Sequence, residues 1–292
     1  MNLVVDPAHL ISRQPASAPA GPGWRAWLEL AFAQRGVRTV LVHNRHFGPL
    51  RIQKPLYPEG DAVCHAIVLH PPAGIVGGDS LDIAVEVSAG AHALLTTPGA
   101  GKWYRSGGRP ATMSQTLHVA AGATCEWLPQ ETIIFDGTES TLTTRIELET
   151  GARFIGAEMT CFGRTGSGER FTQGRYSSHT RIRVDGKPVW LERGRVDGGG
   201  ALLDSPVGLA GQPVSGTLWI IGPEVDETLR DACREIEPAL GDGAVTLLPG
   251  VLVARWLGPA CEPGREWFSR LWAVVRPVLT GRPATTPRIW NT

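Results

Sequence analysis

Gly99-Ala-Gly101-Lys102 is the first segment with the residue types to do chemistry, since glycine amides and a lysine can cradle a phosphate. A phosphate loop needs Gly-x-x-x-x-Gly-Lys followed by Ser or Thr, whose hydroxyl binds magnesium. Thr96 stands at the first glycine position and Trp103 follows the lysine, so no nucleotide site is predicted. Gly74-Ile-Val-Gly77-Gly78-Asp79 lacks the spacing of a dinucleotide fingerprint. It reads as a tight turn in which Asp79 bonds loop amides. No Gly-x-Ser-x-Gly elbow marks a nucleophile. His43 and His46 form His-x-x-His, but in a strand they point to opposite faces and chelate poorly. His65 and His70 follow Cys64 without a ligand pattern.

The acids Glu131, Asp136, Glu158 and Glu169 sit among apolar, aromatic and glycine-rich segments. A carboxylate there is costly unless it is paired or faces water. One reading pairs them with Arg105, Arg164 or Arg175; the other lines a water-filled path for a cation. Spacing alone favours pairing. A hydrolase or lyase working in a β groove would need Glu131, Asp136 and Glu158 to converge on one open face. The five cysteines are far apart with no Cys-x-x-Cys, which is neither a disulfide framework nor a zinc ribbon. A reducing cytoplasm is the expected compartment.

Something must position these residues, and the composition indicates β structure. Of 292 residues, 42% are hydrophobic and 19% charged, which excludes a disordered chain. Gly 36 and Pro 23 without a Gly-X-Y period fit many turns between short strands. Lys+Arg 28 balance Asp+Glu 28, so no strong field draws nucleic acid or an anionic membrane. No apolar run is long enough to span a bilayer, and no secretory signal is expected at Met1.

Residues 13–23 are rich in proline, alanine and glycine, so 1–23 is read as a flexible arm and 24–292 as one β domain. Trp24 to Phe32 alternates as a strand. Residues 81–91, 117–123 and 146–152 each alternate and close on Gly-Ala, with Gly90, Gly122 and Gly151 spaced by 32 and 29. That near-constant period predicts stacked β-layers, as in a solenoid. Asp185-Gly186 predicts a hairpin between Thr180–Val184 and Val189–Glu192. Helical spacing appears only late, over 223–240 and 264–279, with Pro277 expected to end or kink the second. The fold class is therefore mainly β, stacked and solenoid-like, with two α-helices near the C-terminus. Trp267, Phe268 and Trp272 on the last helix read as core rather than as an interface.

Long runs in consistent order then resemble the urease accessory protein UreD family, called UreH in some organisms. They are 70–79 (HPPAGIVGGD), 95–100 (LTTPGA), 103–106 (WYRS), 126–133 (EWLPQETI) and 135–137 (FDG). Gly48-Pro49-Leu50, Tyr57-Pro-Glu-Gly60, Gly163-Arg164 and Gly168-Glu-Arg-Phe171 extend the likeness. Ala73 departs from it, standing where a glycine is usual. The resemblance implies a helicoid β fold and a maturation factor that catalyses no reaction. It implies binding to UreF, which recruits the GTPase UreG, and docking on the urease structural subunits. It also implies no permanently bound cofactor and a transient passage of nickel, by the proposed route of a water-filled tunnel. On this footing Glu131, Asp136, Glu158 and Glu169 become candidates for the nickel path, with Asp61, His70 and Asp79 as weaker ones. Transfer requires sites that attract a cation and release it, which isolated carboxylates with retained water can do.

Overall fold

A computed structural model of the chain describes residues 23–291. The arm read over 1–23 lies outside the described residues except for Gly23. The chain runs β1 (Arg25–Arg35), β2 (Arg38–Phe47), β3 (Arg51–Ile52), β4 (Val63–Leu69), β5 (Ser80–Val87), β6 (His92–Thr96) and β7 (Gly101–Trp103). It continues with β8 (Ala111–Val119), β9 (Thr124–Leu128), β10 (Thr132–Ile134), β11 (Thr138–Leu148), β12 (Arg153–Phe162), β13 (Gly174–Val184) and β14 (Lys187–Asp197). Then come α1 (Ala201–Asp204), β15 (Val214–Ile221), α2 (Glu227–Arg234), β16 (Asp242–Leu248), β17 (Val251–Gly258) and α3 (Cys261–Thr280).

The strands form two sheets. The first is seven-stranded, in the order β14-β13-β11-β8-β5-β1-β2; the second is ten-stranded, in the order β16-β17-β15-β12-β9-β6-β4-β3, with β7 and β10 attached through β12. From β4 to β13 the chain alternates between them, and each long strand lies parallel to the one a coil earlier. Ser80 pairs Thr112 and Thr112 pairs Thr141; in the second sheet His92 pairs Thr124 and Thr124 pairs Arg153. These offsets are the 32 and 29 residues that separate the three glycines. Gly90, Gly122 and Gly151 all take positive φ (73°, 69° and 82°), and the Gly122 amide donates to the Gly151 carbonyl at 3.2 Å. The sequence period is thus one turn of the β coil.

Burial explains why the two sheets have different patterns. In β5 and β11 buried residues alternate with more exposed ones, because only one face is covered. β6 and β9 are buried at every residue, since the first sheet covers one face and the C-terminal helices the other. One apolar cluster fills the space between the sheets; a second joins the ten-stranded sheet to α2 and α3. Trp267, Phe268 and Trp272 are buried in the second, as core packing predicts.

The ends of the coil are antiparallel: β2 closes on β1, β14 on β13, and β15, β17 and β16 extend from β12. The hairpin is longer than its turn alone suggested, running Gly174–Val184 and Lys187–Asp197. Asp185 and Gly186 hold φ of 47° and 75° at its tip, and the Asp185 carboxylate accepts from the Thr150 amide at 2.9 Å. Pro188 lies in an edge strand beside a bulge, where a missing N–H is tolerated.

The helix bounds also differ from the periodicity. α2 is confined to Glu227–Arg234: Asp226 caps it by accepting from the Leu229 amide at 2.8 Å, and Pro238 cannot continue it. α3 runs past Pro277 to Thr280, and Gly281 at φ 66° ends it, its amide donating to the Pro277 carbonyl. The four-residue α1 follows the Gly198–Gly200 loop and was not expected; so short an element carries no apolar period.

Candidate functional site

Between the sheets lies a cavity of about 510 Å³. Its walls are side chains that alternate inward from the first sheet, including Met113, Gln115 and Thr144, and residues of the second, including Trp127, Ala157 and Met159. His70 stands in its lining on the β4 side and Glu158 on the β12 side. A second cavity of about 550 Å³, walled by Thr160, Tyr176, Thr180, Glu192, Thr217 and Arg255, shares Glu158 and Trp219 with the first. Glu158 therefore borders both spaces.

Its surroundings give Glu158 unusual acidity. Burial, and next the charge of Glu192, push its carboxyl up to about 7. Thr180 Oγ1 is 3.5 Å away, too few donors to offset the lost hydration. Burial likewise pushes the His70 imidazole down, toward the neutral form. The site thus joins a carboxyl near its midpoint at neutral pH to a neutral imidazole, along a wall that mixes hydroxyl, amide and apolar groups. Such groups can coordinate a passing cation without holding it.

The other acids singled out in the sequence lie elsewhere. Glu131 faces a separate cavity of about 520 Å³ beneath α3, where Arg265 Nε is 3.4 Å from its carboxylate. Asp136 is taken up by a loop: its Oδ1 accepts from the Thr172 amide at 2.6 Å, the Gln173 amide at 2.8 Å and the Thr172 hydroxyl at 3.0 Å. These bonds outweigh burial and hold its carboxyl below the usual carboxylate range. Glu169 pairs with Arg164 at 2.6 Å and accepts from the Asp136 amide, so one pair of acids clamps this loop. Of the arginines offered as partners, Arg164 does pair, whereas Arg175 turns to Asp197, which faces it across the hairpin. Asp61 is exposed and 3.4 Å from Arg38. Asp79 is buried and accepts from the Trp24 and Val76 amides at 2.8 and 3.0 Å, as the turn reading requires. Glu131, Asp136 and Glu158 do not gather in one groove. Among the described residues, no three His, Cys, Asp or Glu side chains converge to hold a metal ion. Gly101 to Trp103 is a strand paired with β10, unlike the helix-capping end of a phosphate loop.

A buried polar network on the second sheet escaped the sequence reading. Glu126, fully buried on β9, accepts from His92 Nε2 at 2.6 Å, Trp272 Nε1 at 2.6 Å and Arg276 Nε at 3.0 Å. Arg276, also fully buried, reaches Glu59 with two further bonds of 2.6 and 2.9 Å, and Glu59 meets His65 Nε2 at 2.6 Å. Burial raises the Glu59 carboxyl, but the bonds and charges of His65 and Arg276 prevail and bring it down to about 2. Glu126 is lowered by the same contest, won by His92 and Arg276. The signal was one acid in an otherwise apolar strand and one arginine on an apolar helix face; what pairs them across 150 residues is tertiary.

A sequence model of the family described as UreD urease accessory protein matches residues 25–291. The protein named Urease accessory protein UreD of Azoarcus sp. (strain BH72) is 63% identical over 273 residues, covering 94% of this chain and 96% of that one. Its namesake from Dechloromonas aromatica (strain RCB) is 53% identical over 290 residues, 97% of this chain and 100% of that one. Another, from Pseudomonas fluorescens (strain Pf-5), is 51% identical over 278 residues, 95% of this chain and 98% of that one.

Proposed function

Because the chain belongs to the UreD urease accessory protein family, we propose that it is a maturation scaffold that makes and breaks no bonds and conducts Ni²⁺ toward the urease active site. The ion is cargo. The observation that carries this reading is the pair of cavities running between the sheets with Glu158 as their common wall. A cation entering beside His70 meets hydroxyl and amide oxygens, then a carboxyl that releases its proton as the cation approaches. Beyond it, Glu192 offers the next negative charge and Arg255 neutralises it, with a 2.6 Å ion pair, when no cation is present. A site of this kind attracts and releases; a closed cage of thiolates and imidazoles would retain the ion.

In the same proposal UreF binds the scaffold and brings the GTPase UreG, and the urease subunits receive the metal, all in the cytoplasm. Among the described residues no helix is long and apolar enough to cross a membrane. Of the seven sequence candidates, Glu158 and His70 line the route. Glu131 borders the cavity beneath α3, Asp136, Glu169 and Asp79 fix loops around the coil, and Asp61 is exposed beside Arg38.

The test is urease co-expressed with its accessory proteins, carrying Glu158→Gln. We expect urease with several-fold less nickel, measured by metal analysis, while UreF still co-purifies with the variant. Normal nickel content would refute the passage. Asp136→Ala should instead lower the amount of soluble protein.

A further inference from the structure

Alternation along β13 and β14 turns Tyr176, Ile182, Trp190 and Val196 toward the core and leaves arginines on the outer face of the seven-stranded sheet. Arg175, Arg181 and Arg183 stand on β13, Arg193 and Arg195 on the edge strand β14, and Arg145 on the neighbouring β11. The register sets Arg145 directly opposite Arg181. Like charges so placed destabilise a sheet, so the arrangement is kept at a cost.

The acids on this part of the face, Glu139, Glu147 and Asp197, do not balance the arginines. Asp197 is shared by Arg175 and Arg195, at 2.8 and 3.0 Å, and Glu147 takes Arg181 at 3.2 Å. Arg183 and Arg193 make no ion pair with any described residue. The Nε atoms of Arg181 and Arg183 also lack a hydrogen-bond partner. The whole chain carries Lys+Arg 28 against Asp+Glu 28, so the positive excess is local. In its midst Leu191, opposite Arg181, is 65% exposed.

We propose that this outer face of β13 and β14 docks an acidic protein surface, one that sets carboxylates around an apolar side chain. Guanidinium forks bind carboxylates in a planar, two-bond geometry, and Arg183 and Arg193 are the forks without a partner. Leu191 supplies the apolar contact between them. A nucleic acid fits this face less well, because its phosphates would also meet Glu139, Glu147 and Asp197. Paired β-strands hold the arginines at fixed spacing, so the partner is read by register as well as by charge. The inference does not depend on the cation passage and takes from the proposed function only the source of a partner.

The full chain is co-expressed with urease and its other accessory proteins and purified through a tag. Arg183→Gln combined with Arg193→Gln should hold one protein of that assembly about ten-fold more weakly than the parent does. The parent complex should lose the same protein as salt is raised. Benzoylphenylalanine placed at position 191 should cross-link to a segment rich in Asp and Glu. Equal retention by parent and variant at every salt concentration would overturn the proposal. So would a cross-link to a second copy of this chain, or to RNA that nuclease removes. Should the double variant fail to fold, the parent complex decides: Arg183 and Arg193 should be shielded from phenylglyoxal, and full reactivity of both would sink the idea. Nickel content after Glu158→Gln is a separate readout, so either proposal can fail while the other stands.

Discussion

Glu158 is where a single side chain says most about the molecule. Its carboxyl sits near 7 against the usual 4.5, because burial and Glu192 both disfavour its charge. The consequence for stability has a definite sign. Between about pH 4.5 and pH 7 the folded chain keeps a proton that the unfolded chain has released, so stability falls as pH rises through that window. Below the window the penalty is absent; above it the penalty is complete. Glu158→Gln, which cannot ionise, should flatten this slope and stabilise the chain above about pH 7. Urea midpoints of parent and variant at the two ends of the window measure it, and parallel pH profiles would contradict the assignment. The same substitution is expected to impair nickel transfer, so a residue kept at a cost in stability would be kept for transport.

At the scale of elements, the coil is set by what happens at its turns. Several turn glycines, Gly122 among them, have open space beyond their Cα and are there for positive φ alone. Gly174 is different: φ is 95° and an added Cβ would lie 2.2 Å from the Thr138 carbonyl oxygen, which belongs to the neighbouring coil. Gly174→Ala should therefore cost about 2 kcal/mol or more, because backbone has to move. Ala73 offers the reverse experiment. It holds φ 63° where the family resemblance leads one to expect glycine. Ala73→Gly should stabilise by about 1 kcal/mol, by relieving the clash of a Cβ in the left-handed region. Chemical denaturation reads both; a destabilised Ala73→Gly would mean that the alanine methyl packs more usefully than its backbone strain costs.

On the scale of the whole molecule, the buried Glu126–Arg276–Glu59 network joins three strands of the second sheet, the loop before β4 and α3. Two carboxylates against one arginine leave a net negative charge, which the two imidazoles moderate. Glu126→Ala removes the central acceptor and leaves Arg276, buried, with Glu59 and the Pro283 carbonyl. The expected cost is about 3–5 kcal/mol, seen as a lower urea midpoint. An unchanged midpoint would mean that α3 is held by its apolar face alone. Acid should act on the same joint. Glu59 is held down to about 2, so its contribution is present above about pH 4.5 and is lost as pH falls toward 2.

The sequence by itself determined the coil, its 32- and 29-residue step and the family. Strand alternation and turn glycines are local properties, and a repeat writes the same local choice several times. It also showed where acids stand in apolar surroundings. Only the tertiary structure decided their partners: Asp136 and Glu169 meet loop amides and Arg164, Glu131 meets Arg265 on a helix, and Glu158 is left beside the space between the sheets. The same holds for Glu126 with Arg276. A carboxylate's cost of burial depends on which charge lies within a few ångströms, and that neighbour is chosen by how the sheets and the last helix pack, long after the local pattern has been spent.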